Sequence, residues 1–523
     1  MSVGRRGCDV LIVGGGINGA GIARDLAMRG LSVILCERDD LASHTSSSST
    51  KLIHGGLRYL EHYQFSLVRK ALQEREVLLR SAPHIMWSLR FIMPHDPSMR
   101  PVWMIRAGLF FYDHLAKRRF LPGSKVISLR CHEAGAALKP QFRKGFVYSD
   151  GWVDDARLVV LNALDARQNG ASILTRTKFI SANYGNNVWQ ASLQPAVGGS
   201  LQVSARTIVN AAGPWAEQIL QHNLPRVAAP NLRLVKGSHI VVPKLFYHDY
   251  AYIFQSADKR VIFAIPYETD FTLIGTTDVE INGDPRAAKI DADEIRYLCE
   301  QASRYFARPV SATDVVWSYT GVRPLLDDDA GDPSAVTRDY RLEMGNQHGP
   351  ILTVWGGKIT TFRKLAQEAG DMICTALAVK KTSGTLSNCL PGGDFSDFIH
   401  VTGNPTVDFA AFAEELGRRY SWLPASMRHR YARAYGSRIG QIIGSATSMA
   451  ELGDEIAPHF YAAEARYLHE HEWATNAEDI LWRRSKLGLR MDDEARKKVA
   501  AWCAANMNLP AGPSGNPAAA ASQ

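Results

Sequence analysis

Apolar and polar residues follow one another along the chain in blocks that predict strands, helices and turns. The first block, Val10–Val13, is wholly apolar, which is typical of a strand buried on both faces of a parallel sheet. Three closely spaced glycines and a helix-like run follow, and a second apolar strand ends at Cys36 and Glu37. The sequence therefore predicts a strand–helix–strand unit at the N-terminus.

Gly14, Gly16 and Gly19 form the pattern G-x-G-x-x-G where the first strand turns into the helix. Gly14 permits the tight turn, Gly16 lets backbone approach a pyrophosphate, and Gly19 lets the helix pack against the strand. The helix N-terminus favours an anion, and Glu37 follows about 20 residues later, where a carboxylate can bind an adenosine ribose. The unit predicts a dinucleotide site and leaves NAD and FAD equally open.

Further patterns predict three more regions. A second strand-to-helix switch lies at 206–216, where Gly213 turns the chain and Pro214 suits the first helical position. Short β-branched runs within 236–319 predict a mixed or antiparallel sheet. From about 408 to 509 the chain is rich in Ala, Glu, Arg and Tyr, which predicts helices, and the uncharged tail that follows predicts disorder.

Composition narrows the class of protein. A chain of 523 residues with 46% hydrophobic and 21% charged residues predicts a soluble protein of two or three domains. Its apolar windows are shorter than the ~18 residues of a transmembrane helix, and we expect the protein to face the cytosol. Seven cysteines without metal-ligand spacing predict reduced thiols and no metal site. The net charge of +8 admits phosphorylated substrates, acidic lipid or nucleic acid.

A polar stretch follows the first unit and carries many candidate site residues. A run of Ser and Thr leads into Lys51, His54, two glycines, Arg58 and Tyr59, a density of polar groups that suits the lining of a site. An ordinary surface pair is the alternative interpretation of Arg58 and Tyr59.

Four motifs together resemble a known family. They read KLIHGGLRYLE from Lys51, WSYTGVRPL from Trp317, TRDY from Thr337 and GGKITTFRKLA from Gly356. With the N-terminal fingerprint, they resemble the FAD-dependent, membrane-associated glycerol-3-phosphate dehydrogenases of the D-amino-acid-oxidase-like flavoprotein superfamily. The resemblance covers about Asp9 to Leu509.

The resemblance implies an α/β fold with a discontinuous Rossmann-like FAD-binding domain over 7–83, 151–235 and 320–388. A mixed-sheet substrate (cap) domain would cover 84–150 and 236–319. An all-helical C-terminal domain over 395–509 and a disordered tail over 510–523 would complete the chain.

The cofactor implied is noncovalent FAD. Gly356 and Gly357 would let backbone approach the isoalloxazine ring, and the dipole of a helix near Thr360 would stabilise negative charge on the reduced flavin. Lys358 would add to this effect, or be a surface lysine after a turn. The residues expected to bind FAD are Gly14, Gly15, Gly16, Ile17, Asn18, Gly19, Ala20, Glu37, Arg38, Ser46, Ser49, Thr50, Leu52, Ala212, Gly213, Gly356, Gly357, Lys358, Thr360 and Thr361.

The activity implied is oxidation of sn-glycerol 3-phosphate to dihydroxyacetone phosphate, with hydride passing from C2 to flavin N5 and electrons to ubiquinone or another membrane quinone. The expected substrate-binding residues are Arg58, Tyr59, Arg323 and Arg338; both later arginines can bind phosphate oxygens bidentately. The expected catalytic residues are Arg323 and three candidates for the base, His54, His239 and Lys358. A base must first lie within hydrogen-bonding distance of the substrate hydroxyl, and only then does its pKa matter, so the sequence does not rank these three. A structural role is an equally open interpretation of His239.

Other functions stay open. A glycerol-3-phosphate oxidase would share the substrate site and react with O2. The Ser/Thr run and the GGKITT segment argue against an NAD-dependent dehydrogenase. The combination of motifs argues against a related FAD-dependent 2-hydroxy acid or amine dehydrogenase. A non-enzymatic FAD-binding or membrane-scaffold protein has no need of convergent arginines.

The segment 100–120 interleaves aromatic and basic residues. One interpretation is a helix that packs Val102, Ile105, Leu109 and Tyr112 on a core; the other is a patch that lies on anionic membrane. A second candidate membrane surface carries Trp473, Trp482, Arg483 and Arg484. We expect monotopic attachment to the cytoplasmic face of the inner membrane, a homodimer, and no nucleic-acid partner.

Overall fold

A computed structural model of the chain describes residues 4–96, 100–224, 232–256, 258, 260–326, 339–346 and 348–507, without the side chains of residues 4, 5, 58, 61 and 62. The strands are β1 (Gly4–Val13), β2 (Val33–Cys36), β3 (Leu52–Ile53), β4 (Met86–Pro94), β5 (Lys125–Ser128), β6 (Lys144–Val153), β7 (Ser172–Leu174), β8 (Thr177–Gly185), β9 (Val188–Pro195), β10 (Leu201–Asn210), β11 (Leu232–Pro243), β12 (Ala251–Gln255), β13 (Val261–Tyr267), β14 (Phe271–Gly275), β15 (Val279–Ile281), β16 (Trp317–Leu326), β17 (Tyr340–Gly345), β18 (Ile351–Gly356), β19 (Glu455–Ala457) and β20 (Phe460–Tyr461).

The α-helices lie around these strands and form most of the C-terminal part. They are α1 (Ile17–Met28), α2 (Phe65–Ser81), α3 (Val102–His114), α4 (Asp155–Gln168), α5 (Ala216–Gln218), α6 (Ala292–Tyr305), α7 (Phe362–Ala376), α8 (Pro405–Arg419), α9 (Ala425–Tyr435), α10 (Ile439–Ile443), α11 (Ala462–Glu472) and α12 (Asp493–Asn506).

The first sheet has the strand order β17-β18-β10-β1-β2-β7. Its central strands β18, β10, β1, β2 and β7 run parallel, while β17 is antiparallel and the β8–β9 hairpin continues from β10. Val10, Leu11 and Ile12 are fully buried, as an apolar strand inside a parallel sheet requires. Helix α1 packs against α4 and α7. The predicted strand–helix–strand unit and the return of the chain at β10 are confirmed.

The second sheet has the order β15-β11-β14-β13-β12-β4-β6-β3, with β16 beside β11 and β5 beside β6. Only the β12–β4 pair among its described strands is parallel, so the predicted mixed sheet is confirmed. Strand β16 pairs with β11 from Leu232–Leu326 to Val241–Trp317. The predicted domain boundary at residue 320 divides this strand, whereas the whole strand belongs to the second sheet.

The C-terminal part packs α8 to α12 around its own core, in which Phe412, Tyr431 and Leu468 are fully buried. It also contains the two-stranded β19–β20 sheet, so it is helical with one small hairpin. The expected tail at 510–523 lies outside the described residues.

The second candidate membrane surface, in this C-terminal part, is wrong because its side chains face the protein interior. Trp482 stacks on Trp317 of β16 with ring centroids 4.7 Å apart, and Arg484 is fully buried against Asp40. Trp473 is 9% exposed and has the guanidinium of Arg167 above its ring.

Helix α3 has one packed and one exposed face. Leu109 and Tyr112 are buried, with Val102 and Ile105 packed beside them, as the first interpretation of segment 100–120 predicts. On the opposite face Trp103, Phe110 and Phe111 are 68%, 58% and 55% exposed. Wherever the structure describes the chain, no helix combines the length and the apolar character needed to cross a membrane.

Candidate active site

A cavity of about 620 Å³ lies where the carboxyl ends of the first sheet's strands face the second sheet. Val13, Cys36, Ala211 and Gly356, at or just after the ends of β1, β2, β10 and β18, line it on one side. Phe263 of β13 and neighbouring residues of β16 line it on the other. In parallel α/β sheets ligands bind outside the carboxyl ends of the strands, so the fold positions the cavity as a cofactor site.

The glycine fingerprint forms one wall of this cavity. Gly14 has φ +111°, and a Cβ there would lie 2.5 Å from the carbonyl oxygen of Ala211. A Cβ at Gly19 would overlap the carbonyl of Gly14, and one at Gly16 would lie 3.0 Å from Ser46 Oγ. Helix α1 begins directly after Gly16, with its N-terminus at the cavity. Close backbone and a helix N-terminus together suit a pyrophosphate, so these residues fit the FAD that the family motifs imply.

Glu37 fixes the loop that follows β2. Its two carboxylate oxygens accept hydrogen bonds from the backbone N–H of Gly15 at 2.6 Å and of Asp39 at 2.8 Å. Burial raises the pKa of Glu37. Arg38, Asp39 and His44 line the same end of the cavity, and the hydrogen bond from His44 lowers the pKa of Asp39 to about 2.

The Ser/Thr run connects this wall to the second sheet. Ser46 Oγ accepts the backbone N–H of Ile17 at 3.0 Å, and Thr45 Oγ1 donates to the carbonyl of Val322 on β16 at 2.7 Å. Ser49 Oγ donates to Asp155 at 2.7 Å. The hydroxyls therefore hold the walls of the cavity together, and the predicted residues Ser46, Ser49, Thr50 and Leu52 line it.

The turn after β18 brings the GGK motif to the same cavity. Gly356 and Gly357 have φ of +66° and +101°, a conformation that glycine adopts without strain. Asn18 of α1 donates to the carbonyl of Gly356 at 3.2 Å. The ammonium of Lys358 lies 3.6 Å from the ring centroid of Tyr59, which also lines the cavity.

Four predicted site residues, His54, Tyr59, Arg323 and Lys358, line this cavity. The guanidinium of Arg323 forms an ion pair with Asp278, and its Nη2 donates to Thr276 Oγ1 at 3.2 Å. A Cβ at Gly237 would lie 2.6 Å from Arg323 Nη2, so glycine there leaves room for the guanidinium. The structure thus places two cations and an imidazole on the lining of one cavity.

His239 lies behind the cavity wall. It is 1% exposed, stacks on Tyr319 with ring centroids 4.8 Å apart, and places Nε2 2.9 Å from Thr50 Oγ1. Burial, followed by the charges of Arg323 and Lys51, lowers the pKa of His239 well below its ordinary value. The imidazole is therefore neutral and one hydroxyl group away from the cavity.

The remaining predicted positions either lack a described side chain or are buried behind the lining. Arg338 lies outside the described residues, and only the backbone of Arg58 is described, within the 3₁₀-helix Leu57–His62. The buried residues behind the lining are Gly15, Gly19, Ala20 and Thr361.

The structure also adds lining residues that the sequence did not single out. Thr177, Lys178 and Phe179 begin β8 beside the Glu37 loop. Trp215, Phe263 and Thr276 also line the cavity, and the ring centroid of Trp215 lies 4.8 Å from that of His44. Their positions depend on strand order, so local motifs carry no signal for them. Trp215 alone follows a recognised motif, the turn at Gly213.

Fold and cavity together define the class of an FAD-dependent oxidoreductase with a helical C-terminal domain. A family model described as FAD dependent oxidoreductase matches residues 9–363, and a second, described as the C-terminal domain of alpha-glycerophosphate oxidase, matches residues 383–509. The chain belongs to the family of FAD-dependent glycerol-3-phosphate dehydrogenases, which confirms the resemblance and the cofactor.

Three similar proteins illustrate this family. A glycerol-3-phosphate dehydrogenase from Pseudomonas aeruginosa is 50% identical over 92% of each chain. A D-erythritol 1-phosphate dehydrogenase from Brucella abortus is 47% identical over 95% of this chain and 97% of its own. The structure of the glycerol-3-phosphate dehydrogenase from Bacillus halodurans complexed with FAD matches with a TM-score of 0.72 and 25% identity, covering 97% of this chain and 96% of that one.

Proposed function

We propose that the protein oxidises sn-glycerol 3-phosphate to dihydroxyacetone phosphate at the end of the cavity next to Gly356 and Gly357. The observation that carries this proposal is the convergence of Arg323, Lys358 and His54 on one cavity that also contains the dinucleotide fingerprint. A phosphomonoester needs cationic partners, and oxidation of its secondary alcohol needs a base. Bound FAD supplies the hydride acceptor for C2 at flavin N5.

Arg323 is the best supported phosphate ligand among the described residues. Its guanidinium lines the cavity and is oriented by Asp278 and Thr276. An arginine held in this way can present two parallel N–H groups to phosphate oxygens without losing much side-chain freedom on binding. Arg58 and Arg338, whose side chains are not described, remain predicted partners in the same role.

His54 is the base that the geometry favours. It lines the cavity, and its backbone N–H donates to Thr360 Oγ1 at 3.3 Å beside the GGK turn. The contact of Lys358 with the face of Tyr59 attracts the charged ammonium, whereas a base must be neutral before it takes a proton. His239 reaches the cavity only through Thr50. We therefore assign the C2 hydroxyl proton to His54 and a positioning role to His239.

The decisive experiment adds glycerol 3-phosphate anaerobically to the purified holoenzyme and follows the flavin absorbance. Loss of the oxidised flavin spectrum, with dihydroxyacetone phosphate formed in equal amount, is the expected result. D-erythritol 1-phosphate is the matched second substrate, because one relative carries that activity in its name. A higher kcat/KM for D-erythritol 1-phosphate would make that compound the substrate, and the proposed site would stay the same.

The electron acceptor is proposed to be a membrane quinone, ubiquinone included. Support comes from α3, whose exposed Trp103, Phe110 and Phe111 lie on a helix that packs against the 3₁₀-helix Leu57–His62, which carries the cavity residue Tyr59. Exposed aromatics beside basic residues suit the surface of an anionic bilayer. Attachment would be monotopic, on the cytoplasmic face of the inner membrane.

An oxidase is the second candidate, because the C-terminal family model takes its name from alpha-glycerophosphate oxidase. Peroxide formed in stoichiometric amount without quinone, and no faster turnover when quinone is added, would identify that activity. The homodimer expected from the sequence stays a prediction that light scattering of the detergent-solubilised protein would test.

A further inference from the structure

One helical turn of the C-terminal domain, Asp479–Arg484, contacts the FAD-binding domain directly, and we call it the clamp turn. It is a π-helical turn, a rare geometry that occurs often at functional sites. Arg484 places two nitrogens 2.8 Å from the two oxygens of Asp40, and Arg483 Nε lies 2.8 Å from the same carboxylate. Asp40 is 2% exposed and lies on the loop after β2.

The clamp turn also contacts a second segment of the FAD-binding domain. Asp479 accepts hydrogen bonds from Arg176 at 2.6 Å and from Arg483 at 2.6 Å. Arg176 lies just before β8, and its backbone N–H donates to the carbonyl of Asp39 at 2.8 Å. One turn of the C-terminal domain therefore connects the loop after β2 to the start of β8.

Both segments line the same end of the cavity. Glu37, Asp39 and His44 come from the first segment, and Thr177 and Phe179 from the second. Glu37 marks this end, because the carboxylate that follows the second strand of a dinucleotide-binding unit faces the adenosine ribose. The clamp turn thus lies behind the two walls between which adenosine would bind.

The ion pairs are built to hold these walls. Burial would raise the pKa of Asp40, but the charges of Arg484 and Arg483 outweigh it and lower that pKa, so the carboxylate stays ionised. Arg484 also donates to the backbone carbonyl of Glu472 at 2.6 Å, which anchors it within the C-terminal domain. Breaking one partner of a buried ion pair leaves an uncompensated charge, so the loop cannot move without a large energetic cost.

We infer that the clamp turn is a positioning element for the adenosine half of FAD, and that Arg483, Arg484 and Asp479 set the cofactor's affinity without touching it. Loss of the ion pairs would free the loop after β2, and FAD would have to order that loop on binding. The C-terminal domain is in this way part of the cofactor site as well as a separately packed helical unit.

The test compares two arginine variants of the full-length protein, Arg483→Gln and Arg430→Gln. Both arginines are in the C-terminal domain, are 11% and 13% exposed, and pair with buried carboxylates. Arg430 pairs with Glu464 inside the C-terminal domain core and touches neither wall of the cavity. Diluting each holoenzyme and following the fluorescence of released FAD gives the dissociation constant.

Arg483→Gln is expected to raise the dissociation constant of FAD at least ~10-fold, since a charge-assisted hydrogen bond to the wall is lost. Arg430→Gln should lower thermal stability and leave the constant unchanged. ADP, which carries adenosine and pyrophosphate without the flavin ring, is the second probe, and its dissociation constant should rise by the same factor in Arg483→Gln. Asp40→Asn, which keeps the shape of the side chain, should act in the same direction.

Three outcomes would overturn the inference. Equal weakening of FAD binding in Arg483→Gln and Arg430→Gln would make it an effect of domain stability. Wild-type affinity in both Arg483→Gln and Asp40→Asn would mean that the walls hold without the clamp turn. Weaker FAD binding with unchanged ADP binding would place the effect away from the adenosine end.

Discussion

Asp278 forms an ion pair with Arg323 at the wall of the cavity, so the arginine proposed to bind phosphate is held by a carboxylate before any substrate arrives. Arg323→Ala should lower kcat/KM for glycerol 3-phosphate at least ~10-fold, because one charge-assisted hydrogen bond contributes about 1.5–3 kcal/mol. Steady-state kinetics with glycerol 3-phosphate and with unphosphorylated glycerol measures this effect. Residual turnover of glycerol should hardly change.

The matched control for Arg323 is Arg233→Ala. Arg233 lies on the neighbouring strand β11, pairs with Glu280, and is not among the residues that line the cavity. It should keep wild-type kinetics with both substrates. Equal losses for glycerol and glycerol 3-phosphate in Arg323→Ala would assign the arginine to the fold or to the flavin.

Gly16→Val should give a colourless protein. A Cβ at Gly16 would already lie 3.0 Å from Ser46 Oγ, and the branched side chain would extend into the space where backbone must approach the pyrophosphate. The ratio of flavin to protein absorbance after purification measures the loss. The wild-type protein should release its FAD into the supernatant on acid precipitation, as noncovalent binding requires.

Gly7→Val is the control for Gly16→Val. Gly7 lies on β1, the strand that precedes the Gly16 turn, and a Cβ there meets nothing within 4 Å, so a β-branched residue is compatible with that position. This variant should stay yellow. A yellow Gly16→Val protein, or flavin colour that remains with the acid-precipitated chain, would contradict the binding mode.

His54→Gln should lower kcat by about 10²–10⁴-fold, the usual contribution of a general base. His239→Gln should cost less, because His239 acts on the cavity only through its contact with Thr50 at 2.9 Å. The flavin spectra of both variants should match that of the wild type. Rapid-reaction measurements of flavin reduction by glycerol 3-phosphate would separate the two. A larger loss in His239→Gln than in His54→Gln would reverse the assignment.

The sequence predicts the strand–helix–strand unit with Gly14, Gly16, Gly19 and Glu37. Its residues are close together in the sequence, and each residue type is required by the local geometry. The sequence does not predict the clamp turn, because Asp40 and Arg484 are 444 residues apart and neither belongs to a motif. Aromatic and basic residues in a helical segment resemble a solvent-facing surface, which is why the predictions for Trp482, Arg483 and Arg484 were wrong. Strand order alone brings Thr177 to the cavity.

The stability of the protein should fall in mild acid through His84. This buried imidazole lies just after helix α2, against Gly392 and Gly436. Burial, followed by the charges of nearby arginines, lowers the pKa of His84 to about 3. The unfolded chain binds a proton there near pH 6.5. Below about pH 6.5 the unfolded state therefore binds more protons, and the free energy of unfolding falls by up to about 1.4 kcal/mol per pH unit.

Urea unfolding at about pH 7 and about pH 5.5 measures this dependence. His84→Gln removes the group that titrates, so its midpoint should change less between the two pH values than that of the wild type. His400→Gln, at an exposed position, should keep the wild-type difference. Identical pH dependence in His84→Gln and the wild type would show that other groups account for the acid sensitivity.

Attachment to anionic membrane through α3 can be tested with charge and aromatic variants. Among Arg106, Lys117, Arg118 and Arg119, Arg118 pairs with Asp113 at 2.8 Å, and the other three cations are exposed. Attraction of basic residues to lipid weakens with salt, whereas buried aromatic rings do not depend on it. High salt should release part of the protein from anionic vesicles, and mild detergent should release the rest.

Replacing Arg106, Lys117 and Arg119 with Gln should remove the salt-sensitive fraction, and replacing Trp103, Phe110 and Phe111 with Ser should remove the salt-resistant one. Neither set lines the cavity, so flavin reduction by glycerol 3-phosphate should continue in both.

The control removes three cations of equal charge from exposed helix faces elsewhere, by replacing Arg296, Arg418 and Lys498 with Gln. This variant loses the same net charge at other places, where each cation pairs with a carboxylate of its own helix, and it should bind vesicles like the wild type. If it loses binding as the α3 variant does, overall charge attracts the protein to lipid and α3 has no special part. If the wild-type protein fails to sediment with anionic vesicles at low salt, membrane attachment is contradicted and the oxidase is favoured.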